Sequence, residues 1–322
     1  MLILFAAVGW QVVPATVYGA VINYDRISFF NRPVAYPTNY GTLSVNFLLD
    51  ASYQSENNEA SRFDNLQNVS RVLYEHQLAN DWDIGASYEF DYNAERGDRV
   101  IDEFQFFALD QWGFASIGNM ASQVFDRSKR QPARGLLGIT DDNFSLTLDE
   151  YGGFYQWASA DTKWMIAVDS AGSTESAVVY NKPIGTVDYM VSARISVVDL
   201  ETENAQGVDR GRGVALVAQA RRGRWLVDAQ YLQENLELVD GDTAFDLAAV
   251  SAGVHYDFNR LKISLTAISR QNTLQNRQRS VAMGLRYNLA RGLSVNAGAR
   301  VSDSELFPEN FRSLAVSLRY EL

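Results

Sequence analysis

The chain has 322 residues, of which 47% are hydrophobic and 12% aromatic, with a mean hydropathy of −0.19 and a formal net charge of −11. The absence of cysteine excludes thiolate metal sites and disulfide scaffolds, and the negative charge argues against a nucleic-acid binder. The sequence contains only His76 and His255 as histidines, so histidine-based catalysis or metal binding has few residues available.

The N-terminal 40 residues differ from the rest of the chain. Residues 1–20 are apolar and uncharged and resemble the core of a secretory signal, with a candidate cleavage site at Val13-Pro14-Ala15 but no basic segment before it. We interpret 1–20 as a signal-peptide remnant and 21–40 as a lead-in. Tyr18 to Phe30 alternates loosely but is not counted as a strand, and two prolines favour irregular structure over 31–40.

From Gly41 onward, apolar and polar residues alternate in segments separated by turn residues. The last segment is typical, because Leu314, Val316 and Leu318 share one face and small or charged residues occupy the other. Such alternation keeps the average hydropathy low even in a membrane strand. No stretch after residue 20 approaches the roughly 20 apolar residues of a spanning helix. The pattern predicts sixteen strands: 42–54, 66–78, 82–94, 101–110, 113–120, 151–159, 163–170, 175–182, 186–198, 212–221, 224–234, 247–258, 261–270, 279–289, 293–302 and 312–322.

The connections distinguish a membrane barrel from a soluble sandwich, whose strands would also alternate. Short turns alternate with longer polar loops, which is the outer-membrane barrel pattern, and an even strand number places both barrel ends on one side. About sixteen strands leave a water-filled lumen. The sequence therefore predicts an all-β, antiparallel transmembrane barrel over residues 41–322. Aromatic residues lie near the short turns, where an interfacial girdle is expected: Trp82, Trp112, Trp164, Trp225 and Tyr256.

Three segments and one long connection carry a family resemblance. Ser70-Arg71-Val72-Leu73-Tyr74, Phe104-Gln105-Phe106-Phe107-Ala108-Leu109 and Trp112-Gly113-Phe114-Ala115-Ser116-Ile117-Gly118 resemble, in this order, strands two, four and five of the Gram-negative general porins. The long connection from Met120 to Glu150 falls where that family has its inward-folded constriction loop. The resemblance implies a trimeric, sixteen-stranded outer-membrane channel with a long inward loop after strand five. It implies membrane lipid, lipopolysaccharide and small hydrophilic solutes as partners, and no cofactor.

The chain departs from the family pattern at three positions. Asn119 stands where the family has arginine after strand five, the strand-four arginine falls near Asp102, and Leu322 replaces the terminal phenylalanine. An arginine ladder facing an acidic loop is therefore not carried over to this chain.

Alternation also predicts which charged residues line the pore. The first strands direct mainly acidic side chains inward and the last strands basic ones. The long loop begins basic and ends acidic, and we hypothesise that its basic half faces the acidic wall of strands one to four, which gives a transverse field. The alternative is that lumen positions are simply wet and accept any polar residue. The predicted wall residues are Asp50, Arg71, Glu75, Asp83, Glu89, Asp91, Glu103, Lys262, Arg286, Arg300 and Arg319, and the predicted loop residues are Arg127, Lys129, Arg130, Arg134, Asp141, Asp142, Asp149 and Glu150.

Other candidate sites favour simpler interpretations. Asp240-Gly241-Asp242 with Asp246 lacks the spacing of a calcium loop and reads as a solvated loop. His255 with Asp257 reads as a polar pair, and the arginine-rich turn at 221–224 as a solvated rim. No ordered Ser/His/Asp set and no glycine-rich phosphate loop is visible.

These patterns favour a non-enzymatic porin for passive diffusion. The first alternative is a channel selective for small anions or carboxylates. The second, from another class, is a structural or adhesive barrel with an occluded lumen. A barrel enzyme is the least favoured, because no catalytic set is present.

Overall fold

A computed structural model describes most of the chain. The described residues are 34–56, 65–79, 81–93, 99–119, 123–128, 146, 148, 151–199, 208–238, 243–272, 277–290, 292–304 and 307–321. The predicted signal segment and the loosely alternating residues 18–30 lie outside these ranges.

The described residues form seventeen strands and one short helix. The sixteen predicted strands are all present as β2 to β17, with ends that differ by a few residues. The bounds are β1 Val34–Thr38, β2 Gly41–Glu56, β3 Asn65–Gln77, β4 Asp83–Asn93, β5 Arg99–Leu109, β6 Phe114–Asn119, α1 Gln123–Ser128, β7 Tyr151–Ser159, β8 Thr162–Asp169, β9 Thr174–Ile184, β10 Val187–Asp199, β11 Val208–Arg222, β12 Trp225–Leu238, β13 Thr243–Phe258, β14 Leu261–Asn272, β15 Arg277–Ala290, β16 Leu293–Ser304 and β17 Phe307–Glu321.

Strands β2 to β17 close into an antiparallel barrel. Each strand pairs with its neighbours in sequence, and β17 returns to pair with β2 from Ser313↔Glu56 to Glu321↔Leu48. This pairing joins the last strand to the first of the sixteen and leaves neither of them with a free edge along the paired stretch. The predicted sixteen-stranded barrel is confirmed.

Strand β1 was not predicted, and the expectation of irregular structure over 31–40 is wrong for residues 34–38. β1 pairs with the start of β2, from Val34↔Val45 to Thr38↔Gly41. Pro37 is compatible with this position because β1 has β2 as its only described partner, and a proline without an N–H is tolerated on such an edge. β1 lies on the same side of β2 as β17. It pairs with the beginning of β2, whereas β17 pairs with it from Leu48 onward.

The two faces of the barrel wall differ in chemistry, as the period of two requires. The outer face is apolar and exposed, with Leu216, Val250 and Leu314 as examples, whereas the inner face carries mostly serine, asparagine and charged residues. An apolar exterior on a closed barrel suits hydrocarbon, since paired strands satisfy one another's backbone groups within the wall. In the described part of the chain, no helix is long and apolar enough to cross a membrane.

Short turns connect alternate strand pairs at one rim, which we call the short-turn rim. The turn between β11 and β12 consists of two residues and uses Gly223 at φ 56°, a conformation that favours glycine. Exposed aromatic residues lie beside these turns and confirm the expected girdle: Trp82, Trp112, Trp164 and Trp225 are exposed, and Tyr256 is partly buried.

Candidate functional site

The inner wall has a polar sector formed by β13 to β17 and β2. Its inward side chains are mainly small hydroxyl and amide groups, which accept and donate hydrogen bonds without filling the lumen. The Ser280 and Ser302 hydroxyls lie 2.8 Å apart, and Asn296 donates to Ser317 at 3.1 Å. The sector is therefore hydrophilic, and the side chains that form it are themselves buried on the inside of the apolar shell. Its members include Asn46, Ser251, Ser264, Thr266, Ser280, Ser294, Asn296, Ser302, Ser313 and Ser317.

A second sector of the inner wall, across β5 to β9, is apolar. It is not exposed, because α1 and Leu148 from the connection between β6 and β7 pack on it. Val124 of the helix is fully buried there, and the Phe114 and Phe154 rings lie 5.9 Å apart beneath it. The described part of the long connection therefore lies inside the barrel. The cluster comprises Leu73, Phe107, Leu109, Phe114, Val124, Leu148, Phe154, Met165, Ala167, Ala177 and Val179.

Arg127, at the end of α1, fixes the helix to this sector. Its guanidinium carbon lies 4.6 Å from the centre of the Phe114 ring and 4.7 Å from that of Phe154. Its nitrogens donate to Gln156 Oε1 at 2.9 Å and to Gln123 Oε1 at 3.1 Å. Cation–π contacts strengthen when the cation is desolvated, as it is here. These contacts place Arg127 over β6 and β7, and the hypothesis that the basic half of the connection faces the acidic strands stays a prediction.

Three further contacts hold the connection against β10 and β12. Ser192 donates its hydroxyl to the backbone oxygen of Ser128. The backbone of Leu146 is held at both ends, because its N–H donates to Glu234 Oε1 and its oxygen accepts from Arg194 Nη1 at 3.4 Å.

Gly211, between these two strands on β11, makes room for Leu146. A Cβ atom added at Gly211 would lie 2.5 Å from Leu146 Cδ1, so any larger residue would displace the leucine. Arg194 is itself held by a buried ion pair with Glu175 at 3.1 Å. Glu175, Arg194 and Glu234 were not predicted as site residues, because nothing in the local pattern of β9, β10 or β12 shows that a distant backbone segment reaches them.

The barrel seam carries an ion network. Arg319 Nε lies 2.6 Å from Asp50 Oδ2, directly across the β17–β2 pairing, and Arg319 Nη1 lies 3.7 Å from Glu321 Oε1. Arg286 Nη2 lies 3.2 Å from the same oxygen of Glu321, two strands away. Arg286 and Arg319, two of the basic residues predicted to line the pore on the last strands, thus alternate with carboxylates. Glu321 is not among the predicted wall residues.

The acidic strands show the same local neutralisation. Arg71 and Glu89 face each other across β3 and β4 with Nη2 and Oε2 2.7 Å apart. Lys262 pairs with Asp257 at 3.4 Å, and Arg300 donates to Ser302 at 2.8 Å. Arg71 and Lys262 therefore lie in close ion pairs, like Arg286 and Arg319.

Several predicted residues remain untested as pore residues. Glu75, Asp83 and Glu103 occupy inward positions on β3, β4 and β5, and only the backbone of Asp91 is described. Within the candidate calcium loop, only Asp246 is described. The loop residues Lys129, Arg130, Arg134, Asp141, Asp142, Asp149 and Glu150 lie outside the described ranges.

His255 forms a buried pair, with Asp228 instead of Asp257. Its Nε2 contacts Asp228 Oδ2 across β12 and β13. Gly253 provides the space, since a Cβ there would lie 2.8 Å from Asp228 Oδ2. Among the described residues, no group of three or more acidic or histidine side chains is arranged to hold a metal ion.

Comparison with solved structures identifies the fold. No sequence-family model and no curated protein matches the chain. The trimer form of OmpT, an outer membrane protein of Vibrio cholerae, is similar with a TM-score of 0.70 at 11% identity, over 88% of this chain and 100% of that one. The anion-selective porin from Comamonas acidovorans has a TM-score of 0.66 at 10% identity, over 88% and 100%. OmpF of Salmonella typhi, in complex with daunomycin, has a TM-score of 0.66 at 13% identity, over 89% and 100%.

These similarities concern the fold. The chain is a sixteen-stranded β-barrel of the outer-membrane type, and its apolar outer band and aromatic short-turn rim fit placement in a bacterial outer membrane. Its solved neighbours include several porins.

Proposed function

We propose that the protein is an outer-membrane porin that forms a water-filled channel for passive diffusion of small hydrophilic solutes and ions. The observation that carries this proposal is the division of the inner wall. A polar, serine-rich sector spans β13 to β17 and β2, while the inner connection packs on the apolar sector of β5 to β9. Solutes would pass between the connection and the polar sector, where hydroxyl and amide groups replace part of their hydration.

Conductance of the refolded full chain tests this proposal. In planar bilayers under a potassium chloride gradient, we expect stable ohmic steps, with a reversal potential that reports the ion preference. In liposome swelling assays, we expect rates that fall as the sugar becomes larger. A chain that folds and inserts, but gives neither current nor swelling, would establish the occluded, structural barrel instead.

The anion-selective alternative receives less support from the inner wall. Arg71, Arg286 and Arg319 are each within 3.2 Å of a carboxylate oxygen, and such pairs present little net positive charge to a passing anion. Block of single channels by small carboxylates, at concentrations that leave sugar permeation unchanged, would favour this alternative.

We retain the proposal that the basic half of the inner connection contributes to the constriction. Lys129, Arg130 and Arg134 carry it, whereas Arg127 is used for packing. Changing Lys129, Arg130 and Arg134 to alanine, with Arg127 left in place, is expected to alter conductance and ion preference without loosening α1. Unchanged values for both would remove these residues from the pore.

We further propose a homotrimer. The support is the family resemblance of residues 70–118 and the similarity to a barrel solved in a trimer form. Mass measurement of the detergent-solubilised protein tests it, and a monomer or dimer would refute it.

A further inference from the structure

Four arginines lie together at the short-turn rim. Arg221 and Arg222 end β11, Arg224 completes the turn to β12, and Arg260 lies in the turn between β13 and β14. All four are exposed, and within the described residues none of their side chains has a hydrogen-bond or ion-pair partner. The arginines of the inner wall, by contrast, are held by carboxylates, amides or hydroxyls. The rim cluster thus carries positive charge that has no side-chain partner in the part of the chain that the structure describes.

The two turns that carry these arginines are tied to each other. The backbone N–H of Asp257, at the end of β13, donates to the backbone oxygen of Arg224 at 3.0 Å. The N–H of Arg260 donates to the oxygen of Phe258 at 3.0 Å, which fixes the second turn against the same strand end. The cluster is therefore presented by ordered turns at one corner of the barrel.

Aromatic side chains adjoin the cluster on the lipid-facing side. Arg222 lies opposite Trp225 in register, and Trp225 lies opposite Tyr256, so these three residues form one row on the outer face. The Trp225 and Tyr256 rings meet edge to face at 4.5 Å, and Tyr256 meets Phe258 at 4.2 Å. Trp225 and Phe258 are each about half exposed. Such amphipathic rings occupy the headgroup level of a bilayer.

The local charge contrasts with the whole chain, whose net charge is −11. Two carboxylates lie near the cluster. Asp188 is opposite Arg221 in register, and Asp257 is engaged by Lys262 at 3.4 Å. This leaves an excess of positive charge at the rim that an anionic group from outside the protein would neutralise.

We propose that this corner, formed by Arg221, Arg222, Arg224, Arg260, Trp225, Tyr256 and Phe258, binds the phosphate headgroup of an anionic phospholipid. Guanidinium groups pair with phosphate oxygens in bidentate geometry, and the aromatic row supports the glycerol and upper acyl region. Short turns of bacterial barrels face the periplasm, so the lipid belongs to the periplasmic leaflet, which is made of phospholipid. The inference goes beyond the channel function and rests only on the proposed placement of the barrel in the outer membrane.

Lipid retention by the refolded full chain tests the site. The protein in neutral detergent is titrated with phosphatidylglycerol or phosphatidylcholine of the same acyl chains, and bound lipid is measured by native mass spectrometry. We expect phosphatidylglycerol to be retained at lower concentration, with the preference weakened by high salt. The variant R221Q/R222Q/R224Q/R260Q is expected to weaken phosphatidylglycerol retention about tenfold or more and to leave phosphatidylcholine unchanged.

A matched variant removes the same charge from the opposite ends of β11 and β15: R210Q/R212Q/R277Q/R279Q. It is expected to retain phosphatidylglycerol like the unaltered chain. Equal loss in both variants would mean that net charge, and not this corner, governs retention, and would overturn the proposal. Displacement of the lipid by equimolar inorganic phosphate would also overturn it, because the site would then recognise phosphate alone.

Conductance of the same preparations separates this proposal from the channel proposal. The variant R222Q/R224Q/R260Q, which keeps Arg221 because that residue shares the inward face of β11 with Gln219, is expected to conduct like the unaltered chain. A protein that prefers phosphatidylglycerol but carries no current would refute the channel and leave the lipid site standing.

Discussion

Replacing Glu234 by alanine removes the acceptor for the Leu146 N–H, one of the contacts that hold the inner connection against the wall. Arg194 still donates to the Leu146 oxygen at 3.4 Å, so the connection keeps a second, longer bond. We expect the variant to fold as a barrel, because the backbone pairing of β12 with β11 and β13 does not depend on the Glu234 side chain. The effect should be confined to the position of the connection.

The size of the effect follows from the kind of bond that is lost. A hydrogen bond to a charged group contributes about 1.5–3 kcal/mol when the remaining partner is left buried. Since about 1.4 kcal/mol corresponds to tenfold in an equilibrium constant, release of the connection should become about tenfold to a hundredfold more frequent.

Single-channel recording is the assay, with Glu237→Ala as the matched control on the same strand. Glu237 pairs with Arg212 at 3.3 Å, with side chains 27% and 57% exposed, and such surface pairs contribute about 0–1 kcal/mol. We expect added current noise or a second conductance level in Glu234→Ala and neither in Glu237→Ala. Indistinguishable traces from the two variants would refute the idea that the Leu146 contact positions the connection.

Three other substitutions test the wall. Arg194→Met leaves Glu175 buried without its ion-pair partner and should lower the free energy of unfolding by about 3–5 kcal/mol in urea titrations. Adding Glu175→Leu to that variant should restore most of the lost stability. Equal stability of the single and the double variant would contradict this expectation. Phe114→Ala, at a ring that is 1% exposed, should cost about 3–5 kcal/mol in the same titration, and a loss below 1 kcal/mol would mean that α1 is not packed there. Leu216→Arg, on the outer face of β11, should cost about 2–4 kcal/mol in a bilayer, and Gln219→Arg, on the inner face of the same strand, should cost far less. Equal costs for the last two would mean that the faces are wrongly assigned.

The strands could be predicted because each strand and each short turn of a membrane barrel has a pattern that is visible within its own residues. Each strand needs apolar residues at every second position, and each short turn needs residues that reverse the chain, so no knowledge of distant contacts is required. β1 could not be predicted in this way. It is five residues long and contains Pro37, which counts against a strand unless one of its edges is known to be free.

The partners of the charged residues could not be predicted in the same way. His255 was paired with Asp257 because both lie on β13, but Gly253, opposite Asp228 in register, leaves room for a diagonal contact between the two strands. Asp228, on β12, is the true partner. Glu321 and Arg286 meet across an intervening strand, which requires the register of two pairings at once.

One sequence feature indicates that the connection between β6 and β7 packs inside the barrel, but the prediction did not draw on it. Phe107 and Leu109 occupy inward positions of β5, where a water-filled lumen should favour polar residues. Apolar residues on both faces of one strand indicate that something covers the inner face. The helix α1 and Leu148 supply that cover.

On the side of β2 that faces away from β3, two different strands pair with it: β17 and β1. β17 ends its pairing at Leu48 and β1 begins at Val45, so Asn46 and Phe47 lie opposite the joint between Glu321 and Val34. Neither β1 nor β17 alone covers this side of β2, and loss of β1 would leave the backbone groups of Gly41 to Val45 on that side without their pairing partners. A backbone group that is left unsatisfied in hydrocarbon costs several kcal/mol. Closure of this barrel therefore involves three segments: β2, β17 and β1. The strand that precedes the sixteen barrel strands extends the pairing that the last of them makes with β2.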